Sequence, residues 1–172
     1  MSEATMKEAV ANSRARAGKY LTFKLGSEEF GLEILKVQEI IQMQAITRVP
    51  RTPEFVRGVI NLRGKVIPVV DLRLKFGMDH VEDTEKTCIV VVQIRNATSV
   101  VVMGTIIDEV REVLDIPEAS IEDTPSFGTS IDTEFILGMG KIGNNVKILL
   151  DIDKVLSSQE ISSVAAASAT HA

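Results

Sequence analysis

Few residues in this chain could do chemistry, and their spacing does not favour it. One cysteine and two histidines, His80 and His171, are its only candidates for a Cys/His nucleophile system or a zinc site. Cys88 stands in Cys88-Ile89-Val90-Val91-Val92, where a thiol reads as a packed core group rather than a reactive nucleophile. His80 falls in a linker and His171 in a tail, so neither a Cys/His nucleophile system nor a zinc site can be assembled. The adjacent carboxylates Glu28-Glu29 and Glu122-Asp123 read as solvated charges rather than acid–base dyads. Gly138-Met139-Gly140-Lys141-Ile142-Gly143 matches G-x-G-x-x-G, but a dinucleotide site needs a helix next, to hold the pyrophosphate at its N-terminus. Here a turn and then a strand follow, Asn144-Asn145-Val146-Lys147-Ile148-Leu149-Leu150, so the glycines serve a hairpin. No catalytic constellation, metal or cofactor is called for. The pattern is that of a binding protein, not an enzyme.

Stepping from these residues to the elements that hold them, the dominant feature is duplication. Phe55-Val56-Arg57-Gly58 … Val66 … Val69-Val70-Asp71-Leu72 returns as Phe135-Ile136-Leu137-Gly138 … Val146 … Leu149-Leu150-Asp151-Ile152. Gly31-Leu32-Glu33-Ile34-Leu35-Lys36-Val37-Gln38-Glu39-Ile40 returns as Gly104-Thr105-Ile106-Ile107-Asp108-Glu109-Val110-Arg111-Glu112-Val113. The blocks keep their order, with one loop longer in the second copy. The period is too long for a solenoid and fits two related small domains in tandem. Copies of about 70 residues are marginal alone, so a shared apolar seam is expected.

Each copy predicts about five short strands. Leu21, Phe23 and Leu25 alternate on one strand, Gly26-Ser27 turns it, and Glu29 to Glu33 returns. Ile34, Val37 and Ile41 fall at helical spacing, consistent with a short turn before the next strand, and Pro50 and Pro53 bracket a loop. Val56–Leu62 and Lys65–Val70 form a hairpin closed at Arg63-Gly64, in which Pro68 marks an edge or a bulge. Asp71 caps a short helix through Phe76. Asp79 to Lys86 is an acid-rich linker. The second copy gives a hairpin around Asn96-Ala97, a long acidic loop, and strands 135–142 and 146–150 joined at Gly143-Asn144-Asn145, with Asp151 capping a last helix. Gly58 and Gly138 recur at equivalent places, which suggests close backbone approach at a barrel corner. Residues 1–18 and 157–172 read as flexible arms. The expectation is an all-β protein with short helices, built as two small barrels whose closure removes exposed edges.

Of the residues, 45% are apolar and the net charge is −5. The single cysteine excludes an internal disulfide and fits a reducing compartment. There is no signal-like N-terminus and no apolar run of about 18 residues. A cytoplasmic protein without direct membrane insertion is expected, in which the sequon Asn96-Ala97-Thr98 has no use. Arg48 to Lys75 is basic and Gly104 to Glu134 acidic. These are either two solvated surfaces of opposite sign or copies that diverged toward different partners. A tandem-barrel nucleic-acid binder would use the basic stretch, but aromatic residues for stacking are nearly absent.

The segment Arg57-Gly58-Val59-Ile60-Asn61-Leu62-Arg63-Gly64-Lys65-Val66-Ile67-Pro68-Val69-Val70-Asp71-Leu72, with Gly31 to Ile40 before it, resembles the signature of the CheW family of bacterial chemotaxis coupling proteins. The resemblance spans residues 19–156 and implies two SH3-like five-stranded barrels, interleaved or tandem, at roughly 19–78 and 87–156. It implies a non-enzymatic scaffold joining chemoreceptors to the histidine kinase CheA. The implied partners are the cytoplasmic tip of methyl-accepting receptors and the kinase's own CheW-like regulatory domain. The implied location is the receptor array at the inner face of the membrane, with no nucleic acid involved. Receptor contacts carried over by the resemblance are Val37, Glu39, Arg57, Asn61 and Arg63; Gly58, Gly64, Asp71, Gly138 and Asp151 read as structural turns or caps. For Arg63 the alternatives are an exposed arginine tolerated in a turn and a guanidinium that forks onto a partner. Val37 can equally be core, and Arg57, whose repeat partner is Leu137, can be specialised or drifted.

Overall fold

The computed structural model describes residues 16–79, 81–95, 100–125, 133–157, 160 and 164. His80, Asn96-Ala97-Thr98, His171 and most of both arms lie outside the described residues. In chain order the elements are β1 (Gly18–Leu25), β2 (Glu28–Glu33), a 3-10 turn (Ile34–Lys36), β3 (Val37–Gln42), β4 (Val56–Leu62), β5 (Lys65–Asp71) and α1 (Leu72–Lys75). Then come β6 (Cys88–Arg95), β7 (Val100–Ile107), β8 (Glu109–Ile116), a 3-10 turn (Glu118–Ser120), β9 (Ile121–Glu122), β10 (Ile136–Ile142), β11 (Asn145–Leu150) and α2 (Ile152–Val155). The protein is all-β with short helices, in two sheets.

One sheet runs β8-β1-β2-β11-β10-β9 and the other β3-β6-β7-β5-β4. Repeat partners occupy the same places in both orders: β8 stands for β3, β1 for β6, β2 for β7, β11 for β5 and β10 for β4. Each sheet therefore draws strands from both copies. β2 joins β11 in parallel through Phe30↔Ile148, Gly31↔Leu149 and Leu32↔Leu150, and β7 joins β5 in parallel through Gly104↔Val69, Thr105↔Val70 and Ile106↔Asp71. Even the irregularities repeat. The register shifts between Val56 and Gly58 and again between Ile136 and Gly138. It also shifts between Val37 and Glu39, and at their counterparts Val110 and Glu112. The Asp71 N–H donates to Phe55 O at 2.7 Å and the Asp151 N–H to Phe135 O at 2.8 Å.

The apolar runs of the central strands are explained by burial on both faces. Val90, Val92 and Ile94 of β6 face a core shared between the sheets, with Leu21, Phe23 and Leu25 of β1. Ile89 and Val91 point the other way, into their own barrel, against Ile60, Ile67, Val69 and Ile106. Tyr20, Ile116, Ile121 and Leu149 fill the other barrel. Phe23, Phe30, Phe76 and Phe135 stack in series at centroid separations of 6.0, 5.9 and 5.1 Å, tying the ends of both hairpins together.

Several expectations are corrected. The acidic stretch after β7 is not a loop but carries β8, which pairs with β1 from Glu109 to Ile116. Arg111, Glu112, Val113 and Asp115 are all exposed, so no apolar alternation marks the strand in the sequence. β5 is not an edge strand: it pairs with β4 along its length and with β7 from Val69 onward. Pro68 sits just before the second pairing begins, where its missing N–H costs nothing. The arms are not wholly loose. Arg16 bonds Asp123 at 2.6 Å and Glu118 at 3.1 Å, Glu160 pairs with Lys75 at 2.7 Å, and Val164 is buried in the shared core.

Barrel closure and a buried ion cluster give the fold its rigid points. Thr47 and Val59 exchange backbone hydrogen bonds of 2.9 and 2.8 Å, bringing the segment after β3 onto β4. The next-door Gly58 has φ +143°, and a Cβ there would lie 2.1 Å from Thr47 O. Asp71, fully buried, caps α1 through the Arg73 N–H and takes the Arg73 guanidinium at 3.0 and 3.1 Å. Arg73 also bonds Asp108 at 3.0 Å and Asp83 at 3.4 Å. Burial would push the Asp71 carboxyl up, but the Arg73 hydrogen bonds and charge, helped by Arg57, hold it below the usual carboxylate range.

Two stability effects are expected, both read by denaturant unfolding. Gly58→Ala should lose more than about 2 kcal/mol, from backbone strain and the clash with Thr47. Asp71→Asn should lose about 3 kcal/mol or more by leaving Arg73 under-compensated. Because the folded Asp71 pKa is depressed, its contribution is present above the unfolded value of about 4 and lost as pH falls through the folded one. Wild-type stability should therefore drop in that acid range, with a smaller drop in Asp71→Asn.

Candidate protein-interaction site

The β4–β5 hairpin ends in two residues with positive φ, Arg63 at 50° and Gly64 at 87°, the pattern of a type I′ turn. Glycine suits such a turn, whereas arginine accepts a left-handed backbone at a cost. The Gly64 N–H donates to Asn61 Oδ1 at 2.8 Å, so Asn61 fixes the tip. Arg63 Nη2 donates to Glu39 Oε1 at 2.6 Å. Glu39 lies on β3 and Arg63 beyond β4, the two outer strands of one sheet. The ion pair thus bridges the seam where that barrel closes. Arg63 remains 72% exposed, and a pair so open to water adds only about 0–1 kcal/mol of stability. Its geometric effect is larger, because it holds the guanidinium in one orientation with its other donors free of described partners.

The structure thus brings Glu39, Asn61 and Arg63 together. Val37 precedes them on β3 and is half-buried against the shared core. Arg57 is elsewhere, near the start of β4 and about 20 Å along the strand from the tip. Its guanidinium bonds Asp71 at 3.1 Å and Asp83 at 3.3 Å, inside the buried ion cluster. The second copy has no equivalent surface. Gly143 replaces Arg63 and Lys141 replaces Asn61, the latter pairing with Glu122 at 2.7 Å.

Sequence reasoning missed the Asp71–Arg73–Asp108 cluster. The available signal was Asp71-Leu72-Arg73 against Asp151-Ile152-Asp153 in the other copy: a cation replaced by an acid beside equivalent caps. The basic stretch is also less free than its composition suggests. Arg57, Arg63, Arg73 and Lys75 are all engaged in ion pairs, which removes much of the charge a nucleic acid would need. Cys88 is half-buried, and burial pushes its thiol up, away from a reactive thiolate. Among the described residues no cluster of His, Cys, Asp and Glu could hold a metal, and no helix is long and apolar enough to cross a membrane.

Comparison with known proteins agrees with this geometry. The family profile of the CheW-like domain matches residues 19–160. The chemotaxis protein CheW of Klebsiella aerogenes is 40% identical over 146 residues, covering 85% of this chain and 86% of the relative. That of Rhizobium meliloti is 33% identical over 140 residues, covering 81% and 88%. Among solved structures, the scaffolding protein TtCheW of Thermoanaerobacter tengcongensis superimposes with a TM-score of 0.73 at 37% identity, covering 84% of this chain and 95% of that one. With the duplicated, strand-exchanged barrels and the hairpin signature in place, the chain belongs to the CheW-like family of chemotaxis scaffold proteins.

Proposed function

We propose that this chain couples chemoreceptors to the histidine kinase CheA at the inner face of the membrane, without catalysis of its own. The observation that carries this reading is the Glu39–Arg63 pair, mounted on a tip fixed by Asn61 and spanning a barrel seam. A guanidinium held in place can donate to carboxylates or to the carbonyls of a helical receptor tip with little further ordering. Glu39 and Val37 present an acceptor and an apolar shoulder beside it. Arg57 acts through the Asp71 cluster, fixing the start of β4 and hence the hairpin. The kinase is met through its own CheW-like domain, barrel to barrel. Holding receptor and kinase on one scaffold raises their effective concentration, so weak individual contacts suffice. Receptor conformation then biases the kinase through a coupling free energy.

The test is co-sedimentation of CheA with receptor-containing membranes, with and without this protein. Kinase should pellet only when the wild-type chain is present, and Arg63→Ala should reduce that recruitment about tenfold or more. The paired reversal Glu39→Arg with Arg63→Glu re-forms the internal ion pair but should not restore recruitment. Restoration would mean that the pair only stiffens the barrel, and kinase pelleting that ignores the chain altogether would defeat the coupling reading.

A further inference from the structure

The two copies place matching caps, Asp71 and Asp151, at the ends of matching strands, yet surround them differently. Around Asp71 stand Arg73, Arg57 and Asp108, with Ile106 opposite on β7. At the same repeat positions around Asp151 stand Asp153, Leu137 and Leu35, with Glu33 at the end of β2. Asp108 is tied down three ways: its N–H donates to Lys24 O at 3.0 Å, and its carboxylate accepts from the Gly26 N–H at 2.7 Å and from Arg73 at 3.0 Å. Leu35, its counterpart, is 95% exposed.

The turn that carries Leu35 is nevertheless rigid. The Val37 N–H closes it onto Ile34 O, and Ile34 packs on the shared core. Lys36 on the other side is clamped to Asp153 at 2.7 Å, and Asp153 also accepts the Arg95 N–H at 2.8 Å. A leucine on a fixed, convex turn is a knob that loses little entropy when it is covered, and the holes between side chains on a helical surface have the matching shape.

Charge points to what lies next to that hole. Lys36 is spent on Asp153, and no side-chain cation bonds Glu33 or Asp151 among the described residues. Burial pushes the Glu33 carboxyl up against the opposing Lys36 charge, with Asp151 and Asp153 adding to the rise; burial and Asp153 likewise push Asp151 up, only partly offset by Lys154 and Lys36. In the first copy this chain supplies two arginines of its own at the equivalent cap.

We propose that Leu35 is an apolar anchor for the helical receptor tip, and that the tip residue beside it is an arginine or lysine that reaches Glu33 and Asp151. The anchor rests on the coupling reading above and extends the receptor surface from Val37 and Glu39 back across the preceding turn.

The experiment measures the full-length chain sedimenting with receptor-containing membranes at low and high salt, and separately its affinity for CheA in solution. Leu35→Ser should weaken membrane binding about tenfold while leaving kinase affinity and the melting temperature unchanged. Leu35→Met should stay near wild type, and Glu33→Gln should weaken binding chiefly at low salt. Wild-type binding by Leu35→Ser would overturn the anchor while leaving the scaffold reading standing. A loss of kinase affinity in its place would overturn it too, by putting Leu35 on another partner. If the wild-type chain itself failed to sediment with receptor membranes, the anchor and the coupling reading would fall together.

Discussion

Neither copy of the duplicated unit can close a barrel alone, and the rest of the structure depends on that constraint. Each barrel needs the parallel join of a strand from one copy to a strand from the other: β2 to β11 in one, β7 to β5 in the other. Glycines stand at both joins, Gly31 facing Leu149 and Gly104 facing Val69 across the pairing. A Cβ at Gly31 would lie 2.9 Å from Leu149 across the join, whereas one at Gly104 would lie 3.5 Å from Val69 across the join and 2.6 Å from Ile89 of the neighbouring β6. Reciprocal exchange makes the two barrels one cooperative unit, because unpairing one join exposes the shared core to water. It also fixes the barrels relative to each other, as a scaffold requires.

On this common frame the copies have separated in chemistry. The first spends its arginines on itself at Asp71, sealing a buried cluster that pins α1, the inter-copy linker through Asp83 and the start of β8 through Asp108. Such a cluster is weak evidence of net stability but a strong constraint on geometry. The second copy keeps the cap and loses the cations. Symmetry-related positions thus became an internal ion cluster in one place and, at Leu35, an exposed apolar side chain in the other.

Much of the fold was legible residue by residue. The period-2 alternation of Leu21, Phe23 and Leu25, the Arg63-Gly64 turn and the repeated Asp caps are local signals, and the elements they mark lie within a residue or two of where the sequence puts them. β8 was hidden because Arg111, Glu112, Val113 and Asp115 are exposed without alternation, so its Glu and Asp residues imitate a loop. Pro68 misled because edge or interior status depends on a neighbour from the other copy. Of the candidate site, the hairpin tip was readable from residue types, whereas the engagement of Arg57 with Asp71 and Asp83 joins residues that no local pattern connects.

The sequence by itself determined the duplicated unit, its hairpins and caps and the family signature at residues 57–72. These follow from short-range rules of turn chemistry, alternation and residue inventory, which act within a few positions. Only the tertiary structure decided which strands share a barrel, because a strand's alternation specifies a buried face but not the strand that lies beside it. It likewise decided that Glu39 meets Arg63 across a seam, that Arg57 faces inward, and that Leu35 stands alone in water while its repeat partner Asp108 is held by three bonds.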